Sequence, residues 1–250
     1  MKTPGFGLKL WSSNYGLAPA AKKLINEGVF DYVELMVVPG TKKAPFRQIS
    51  VPMIVHGTSE KWGFNLADAS KEKQNRDIIE NCLDWAASLN AEYVILHPGY
   101  GDFQIAQEFL EKINDNRILI ENMPRVGIDG EKMVGYSLEQ IKGLCQGKFG
   151  FCLDFNHAAK AALSLGKDYK AFIDGLAELE PKVMHVSDGN LRKEVDEHLA
   201  IGAGDFDFSF LAEIIAKGGV GRVSMETPRT DMESLAEDVE NLRKLKLRTG

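Results

Sequence analysis

Gly150-Phe151-Cys152-Leu153-Asp154-Phe155-Asn156-His157-Ala158 is the stretch on which the fold is read. Phe151, Cys152 and Leu153 are apolar and strand-like, and Asp154 and His157 come directly after them. An acid at a strand end, with an imidazole three residues on, points two metal-binding side chains out of one end of a sheet. Four other strand-like runs end in the same way, in His56, His97, Glu121 and Glu226. A carboxylate at the rim of a core is costly unless it is paired or bound to a metal. The expectation is that these ends converge on one metal cluster.

Working outward, eight strand-like runs are expected: Phe6–Trp11, Tyr32–Met36, Val51–His56, Tyr93–His97, Arg117–Glu121, Phe149–Asp154, Val183–Val186 and Val223–Glu226. Apolar residues at helical spacing predict helices at Leu17–Glu27, Ser70–Leu89, Phe103–Ile113, Ser137–Cys145, Tyr169–Leu179, Phe208–Ala216 and Met232–Leu247. Gly28 reads as a C-cap and Ser137 with Gln140 as a capping box. Val37–Ser50, with two prolines and a glycine, reads as loop with at most a short helix. Alternation of strand and helix argues a parallel α/β sheet, and eight units argue that it closes into a single (β/α)8 TIM barrel. No composition break divides the chain, so one domain over residues 1–250 is expected. The rival is an open doubly wound sheet, which advertises a Gly-rich phosphate loop after its first strand; Trp11-Ser12-Ser13-Asn14 is no such loop.

The totals agree with an enzyme-sized core. The chain has 250 residues, 44% hydrophobic and 26% charged, with net charge −6. No basic block marks a nucleic-acid tail, although bound divalent ions would locally reverse the sign of the potential. Cys82, Cys145 and Cys152 have no paired spacing and read as reduced buried thiols. No apolar run reaches membrane-spanning length and Met1–Leu10 lacks a signal-peptide core, so a soluble cytoplasmic protein is expected.

In a barrel of this type the catalytic face lies at the C-terminal ends of the strands. His56, His97, His157, His185 and His198, all five histidines, fall at a strand end or in the segment just after one. Histidine with carboxylate suits zinc, manganese or iron better than calcium or magnesium. Other residues have plainer readings. Lys9 could pair with Glu34 inside the barrel, Glu34 being as plausible in a salt bridge as in a functional role. Asp188 reads as a turn former or an acceptor behind the ligands, and Asp102 as a solvated helix cap. Asp196 and His198, on the loop Asn190–Asp205, would by themselves be read as surface residues.

Taken together and in order, Val55-His56-Gly57, Leu96-His97-Pro98-Gly99, Ile120-Glu121-Asn122, Leu153-Asp154-Phe155-Asn156-His157-Ala158, His185-Val186-Ser187-Asp188, Asp196-Glu197-His198 and Met225-Glu226-Thr227-Pro228 resemble the endonuclease IV family, part of the xylose-isomerase-like barrels. The resemblance runs from the third strand to the eighth. It implies a zinc-dependent phosphodiester hydrolase of the abasic-site, DNA-repair type, with up to three zinc ions. His56 and His97 would hold one ion, bridged by Glu121 to a second. Asp154, His185 and Glu226 would complete the second, and His157, Asp196 and His198 would hold the third. Glu121 and Glu226 would be catalytic, and Asn122 and Arg192 would contact substrate.

Sugar and sugar-phosphate isomerases and epimerases of the same superfamily resemble the chain too. They imply one metal on Glu121, Asp154, His185 and Glu226, with Glu121 and Glu226 shuttling a proton and His157 and Arg192 holding substrate oxygens. The expected partner is therefore DNA or a small phosphorylated or sugar substrate. Three departures concern DNA. Glu197 stands where the endonucleases usually carry Arg, Val37–Thr41 replaces their DNA-inserting loop, and Gly57-Thr58-Ser59 follows His56 where they carry an aromatic wedge. Trp62 or Phe64 could substitute for that wedge, but core or loop packing is the plainer role for both.

Overall fold

The computed structural model describes residues 4–218 and 221–249. Eight parallel strands close on themselves in chain order. They are β1 (Gly5–Trp11), β2 (Tyr32–Met36), β3 (Met53–His56), β4 (Val94–Leu96), β5 (Ile118–Glu121), β6 (Gly150–Asp154), β7 (Val183–Val186) and β8 (Arg222–Met225). β1 pairs with both β2 and β8, which closes the barrel. Among the described residues no helix is long and apolar enough to cross a membrane.

The strands are short because little beyond their buried residues needs to pair. β3, β4, β5 and β7 are buried along their whole length, as expected for strands covered on both faces. Alternate side chains then serve two cores. Tyr32, Ile54, Ile95, Leu119, Cys152 and Val183 point inward and fill the barrel, while the larger core lies between the sheet and the outer helices. Gly7 makes room for the Tyr32 ring, which would lie 2.4 Å from any Cβ placed there.

Nine α-helices are found among the described residues: α1 (Ala18–Asn26), α2 (Ala44–Ile49), α3 (Glu72–Leu89), α4 (Phe103–Glu111), α5 (Leu138–Cys145), α6 (Phe155–Ser164), α7 (Tyr169–Ala177), α8 (Phe208–Gly218) and α9 (Ala236–Thr249). The expected helices are present with shifted ends, and the segment Val37–Ser50 does hold one short helix. Gly28 follows α1 with φ +70. The capping box is only half formed. Ser137 Oγ accepts from the Gln140 backbone, but the Gln140 side chain accepts from Gly135 and Tyr136 instead of reaching back to Ser137.

One helix departs from the expectation. α6 begins immediately after β6, with no intervening loop, and Asp154 is its N-cap. The Asp154 carboxylate accepts from the backbone N–H of His157 at 2.6 Å. The signal lies in Ala158-Ala159-Lys160-Ala161-Ala162, a strong helix-forming run, with Gly166 just past the end. The consequence for the site is that His157 stands on the first turn of a helix and not on a free loop.

Candidate metal centre

Parallel strands bring every C-terminal end to one face, and that topology assembles the site. His56 and Glu121 end β3 and β5, and Asp154 ends β6. His97 and Glu226 lie one residue beyond β4 and β8, and His185 lies within β7. Asp196 and His198 arrive on the loop between β7 and α8. All nine expected ligands come together in one connected cluster.

Glu121 is at its centre and fully buried. Its Oε2 lies 3.2 Å from His56 Nε2 and 3.3 Å from His97 Nε2. Its Oε1 lies 3.3 Å from His157 Nδ1 and 3.2 Å from His185 Nδ1. The two oxygens of one carboxylate therefore face two separate pairs of imidazoles. Glu226 Oε1 is 3.3 Å from His185 Nδ1, and its Oε2 is 3.2 Å from His198 Nε2. Asp196 Oδ2 is 2.7 Å from His198 Nδ1 and 3.5 Å from His157 Nε2.

Three groups of donors lie within 4.8 Å of one another in the expected neighbourhoods: His56, His97 and Glu121; Glu121, Asp154, His185 and Glu226; and Asp154, His157 and His198. The first two coincide with the implied sets. In the third, Asp154 takes the place of Asp196, so Asp154 serves two groups. Two further groups, Glu34 with His56, His185 and Glu226, and Glu121 with Cys152 and His185, lie deeper in the barrel.

The donor set fits divalent ions on two counts. Asp154 Oδ2 is buried with no hydrogen-bond partner, and it lies 3.9 Å from His198 Nε2, which faces Glu226 Oε2 at 3.2 Å. A buried carboxylate oxygen without a partner carries a desolvation cost that a bound cation would remove. Five imidazoles and four carboxylates also make a nitrogen and oxygen set of the kind zinc, manganese and iron take.

The charges are arranged accordingly. Burial works against the charged form of every group here. The Glu60 and Glu121 carboxylates overcome it at His97 and push the imidazole up to about 10. Asp196 and Glu226 push His198 up to about 10 in the same way. His157 and His185 are raised well above the usual imidazole range by the surrounding carboxylates, against burial. Glu121 and Glu226 are held well below the usual carboxylate range, despite burial, chiefly by His185. His56 moves the other way, lowered by burial and by the Lys9 ammonium. Burial raises Asp154.

Behind the ligands sits a polar floor. Lys9 Nζ donates to Glu34 Oε1 at 2.5 Å and also to Glu226. Glu34 Oε1 in turn lies 3.0 Å from His185 Nε2. Glu34 thus makes the internal ion pair with Lys9 and also touches His185 of the cluster. Asp188 accepts from the backbone of Gly202, Gly204 and Phe206, the role of an acceptor that fixes a turn. Asp102 caps α4.

The two expected substrate contacts are placed otherwise. Asn122 is buried, and its amide is spent on the backbone of Asp154, donating to its carbonyl and accepting from its N–H. It ties β5 to β6 and so orients Asp154. The Arg192 side chain is 83% exposed, has Asp205 as its ion-pair partner at 4.0 Å, and does not join the cluster. Phe64 is core, whereas Trp62 lines the mouth.

Two residues of the site have no signal in the sequence. Glu60, on a short turn after β3, lies 3.3 Å from His97 Nδ1. Cys152, beneath the ligands, has its sulfur 3.5 Å from His185 Nε2. Neither is marked by a pattern that points to this contact; proximity alone identifies them.

The cluster opens into a cavity of about 910 Å³, walled by Trp11, Trp62, Tyr100 and Ile128 and edged by Asp129 and Glu131. Among the described residues lining it, Lys61 is the single lysine or arginine.

Residues 40–245 match the family described as xylose isomerase-like TIM barrel. The protein named "Probable endonuclease 4" of Mycoplasmopsis synoviae (strain 53) is 29% identical over 190 residues, 67% of each chain. Among solved structures, endonuclease IV from Thermus thermophilus superposes with a TM-score of 0.73 at 22% identity, over 98% of each chain. A D-tagatose 3-epimerase-like protein superposes with a TM-score of 0.72 at 20% identity, over 98% of this chain and 96% of its own. At these identities the two structural likenesses are likenesses of fold. The length of the family match, together with strands that close into one barrel, makes this chain a member of the xylose isomerase-like TIM barrel family.

Proposed function

We propose that this protein is a zinc-dependent phosphodiester hydrolase. One observation carries the reading. The two oxygens of Glu121 face the His56–His97 pair on one side and the His157–His185 pair on the other. A carboxylate so placed could hold an ion on each side, and a one-metal enzyme has no use for the first pair. Bound zinc would supply Lewis acidity, lowering the pKa of water towards neutrality and offsetting charge on the phosphate oxygens.

The protein's own part is positioning. Glu121 and Glu226 stay ionised and would hold the ions that activate the attacking water. Lys9 tethers Glu226 from below, so that its other oxygen is free to face His198.

The mouth argues for a small phosphodiester over duplex DNA. Gripping a duplex takes several Lys or Arg on phosphates, and this rim presents Lys61 with Glu60, Asp129 and Glu131. The same acidity favours a second reading, a metal-dependent isomerase or epimerase acting on a sugar. There Glu121 and Glu226 would move a proton between neighbouring carbons.

Ion stoichiometry by native mass spectrometry separates the two readings. Assays on bis(p-nitrophenyl) phosphate, an abasic-site oligonucleotide and a ketose panel complete the test. Two or three zinc ions with phosphodiester cleavage supports the hydrolase. One ion with ketose turnover overturns it in favour of the isomerase.

A further inference from the structure

Lys160 is a fully buried lysine on α6, three residues beyond His157. Its ammonium donates to the carbonyl of Asn190 at 2.8 Å and to the carboxylate of Glu197. Asn190 lies four residues past the end of β7, and Glu197 stands between the expected ligands Asp196 and His198. A single buried cation therefore ties both ends of the ligand-bearing stretch to the helix that carries His157.

Between its two ends the stretch has few other anchors. Residues 190–200 are half-buried or exposed throughout, with Leu191 packed against the outer core at one end. At the far end Leu199 exchanges two backbone hydrogen bonds with Asp188, at 2.8 and 2.9 Å, and the anchors of the ligand-bearing residues between are polar. Asp196 Oδ1 accepts from Asn156 Nδ2 at 2.5 Å and from the His198 N–H at 3.1 Å. His198 has φ +44, in the left-handed region that a residue with a side chain adopts only when its surroundings impose it. A buried ammonium is itself expensive unless its partners are in place. An apolar residue would fill the same space in α6 without that cost, so the fold alone gives no reason for Lys160.

We propose that the Lys160–Glu197 pair is a positioning device for one ligand group. It holds Asp196 and His198 against His157, so that ion binding at that group depends on Lys160, whereas binding at His56, His97 and Glu121 does not. The inference rests on the reading above that divalent ions bind at these strand ends.

The test uses the full chain, zinc alone as probe, and the variants Lys160→Met, Lys160→Arg and Lys160→Met with Glu197→Leu. The double variant leaves no unpaired charge buried, and it carries the test should Lys160→Met fail to fold. Native mass spectrometry and zinc titration should show one ion bound at least ~10-fold more weakly in Lys160→Met and in the double variant, the range typical of lost support behind a ligand. The other ions should keep their affinity, and Lys160→Arg should recover part of the loss. Hydrogen exchange of the ion-free protein should be faster over residues 190–199 and unchanged in β3–β5. Parental affinity for every ion in both Met variants, or equal weakening of all ions, would overturn the proposal. Should the parent bind one zinc or none, the hydrolase reading fails, and unchanged exchange over residues 190–199 then overturns the clamp by itself.

Discussion

Glu34 holds His185 by the ring nitrogen that faces away from the ligand cluster, at 3.0 Å from Nε2, and thereby turns Nδ1 towards Glu121 and Glu226. A carboxylate behind a histidine fixes its tautomer and raises its basicity as a ligand. Glu34→Gln keeps the shape and removes the charge. We expect zinc to bind about 10–100-fold more weakly at the group containing His185. A competitive chelator titration measures it, and parental affinity would count against this role for Glu34.

Removing the bridge should be more severe. Glu121→Gln takes a charge away from four imidazoles at once. We expect it to bind fewer ions and to lose at least ~100-fold in kcat, about 2.7 kcal/mol of barrier at about 1.36 kcal/mol per tenfold. Full ion occupancy with undiminished turnover would be incompatible with a bridging Glu121.

The histidines set the dependence on pH. His97 and His198 sit at about 10 in the ion-free fold, against an ordinary value of 6.5. The folded value is raised, so their stabilisation is complete below about pH 6.5 and drains away as the pH rises to about 10. Thermal melts of chelator-treated protein should therefore fall across that interval. Glu34 is depressed to about 2 by His185 and Lys9, against burial, so its contribution persists above its ordinary 4.5 and is lost as the pH falls through about 2. Zinc binding has the opposite slope to the histidine effect, because the ligands must shed protons, and affinity should rise from pH ~6.5 to ~10. A flat melting profile for the ion-free protein would show that these imidazoles are not charged.

Gly7→Ala probes the barrel interior. The new methyl would lie 2.4 Å from the Tyr32 ring, whose hydroxyl is fixed 2.8 Å from Ser224 Oγ. Overpacking of this kind costs roughly 1–3 kcal/mol. Urea denaturation should register it as a lower midpoint with an unchanged slope, and a neutral result would mean that the ring can move aside.

The architecture is legible in the chain because parallel strands buried on both faces are written as short apolar runs, and because a barrel sends every run's last residue to the same rim. Asp154 and His185 lie on separate strands yet directly opposite in register across β6 and β7. That is why reading strand ends amounts to reading the cluster. α6 is harder to see, because Asp154 and His157 have the chemistry of ligands and that chemistry masks Asp154 as a cap.

The sequence by itself determined which side chains reach the rim, since strand periodicity and chain order leave no other place for His56, Glu121 or Glu226. Only the tertiary structure decided what stands behind and around them. Asn122 and Arg192 have side chains suited to a substrate, but one is consumed by the Asp154 backbone and the other lies in solvent. Glu34, Glu60 and Lys160 come from elements far apart in the chain. Their roles follow from the separations at which burial brings charges together, and a linear pattern of residues carries no record of those distances.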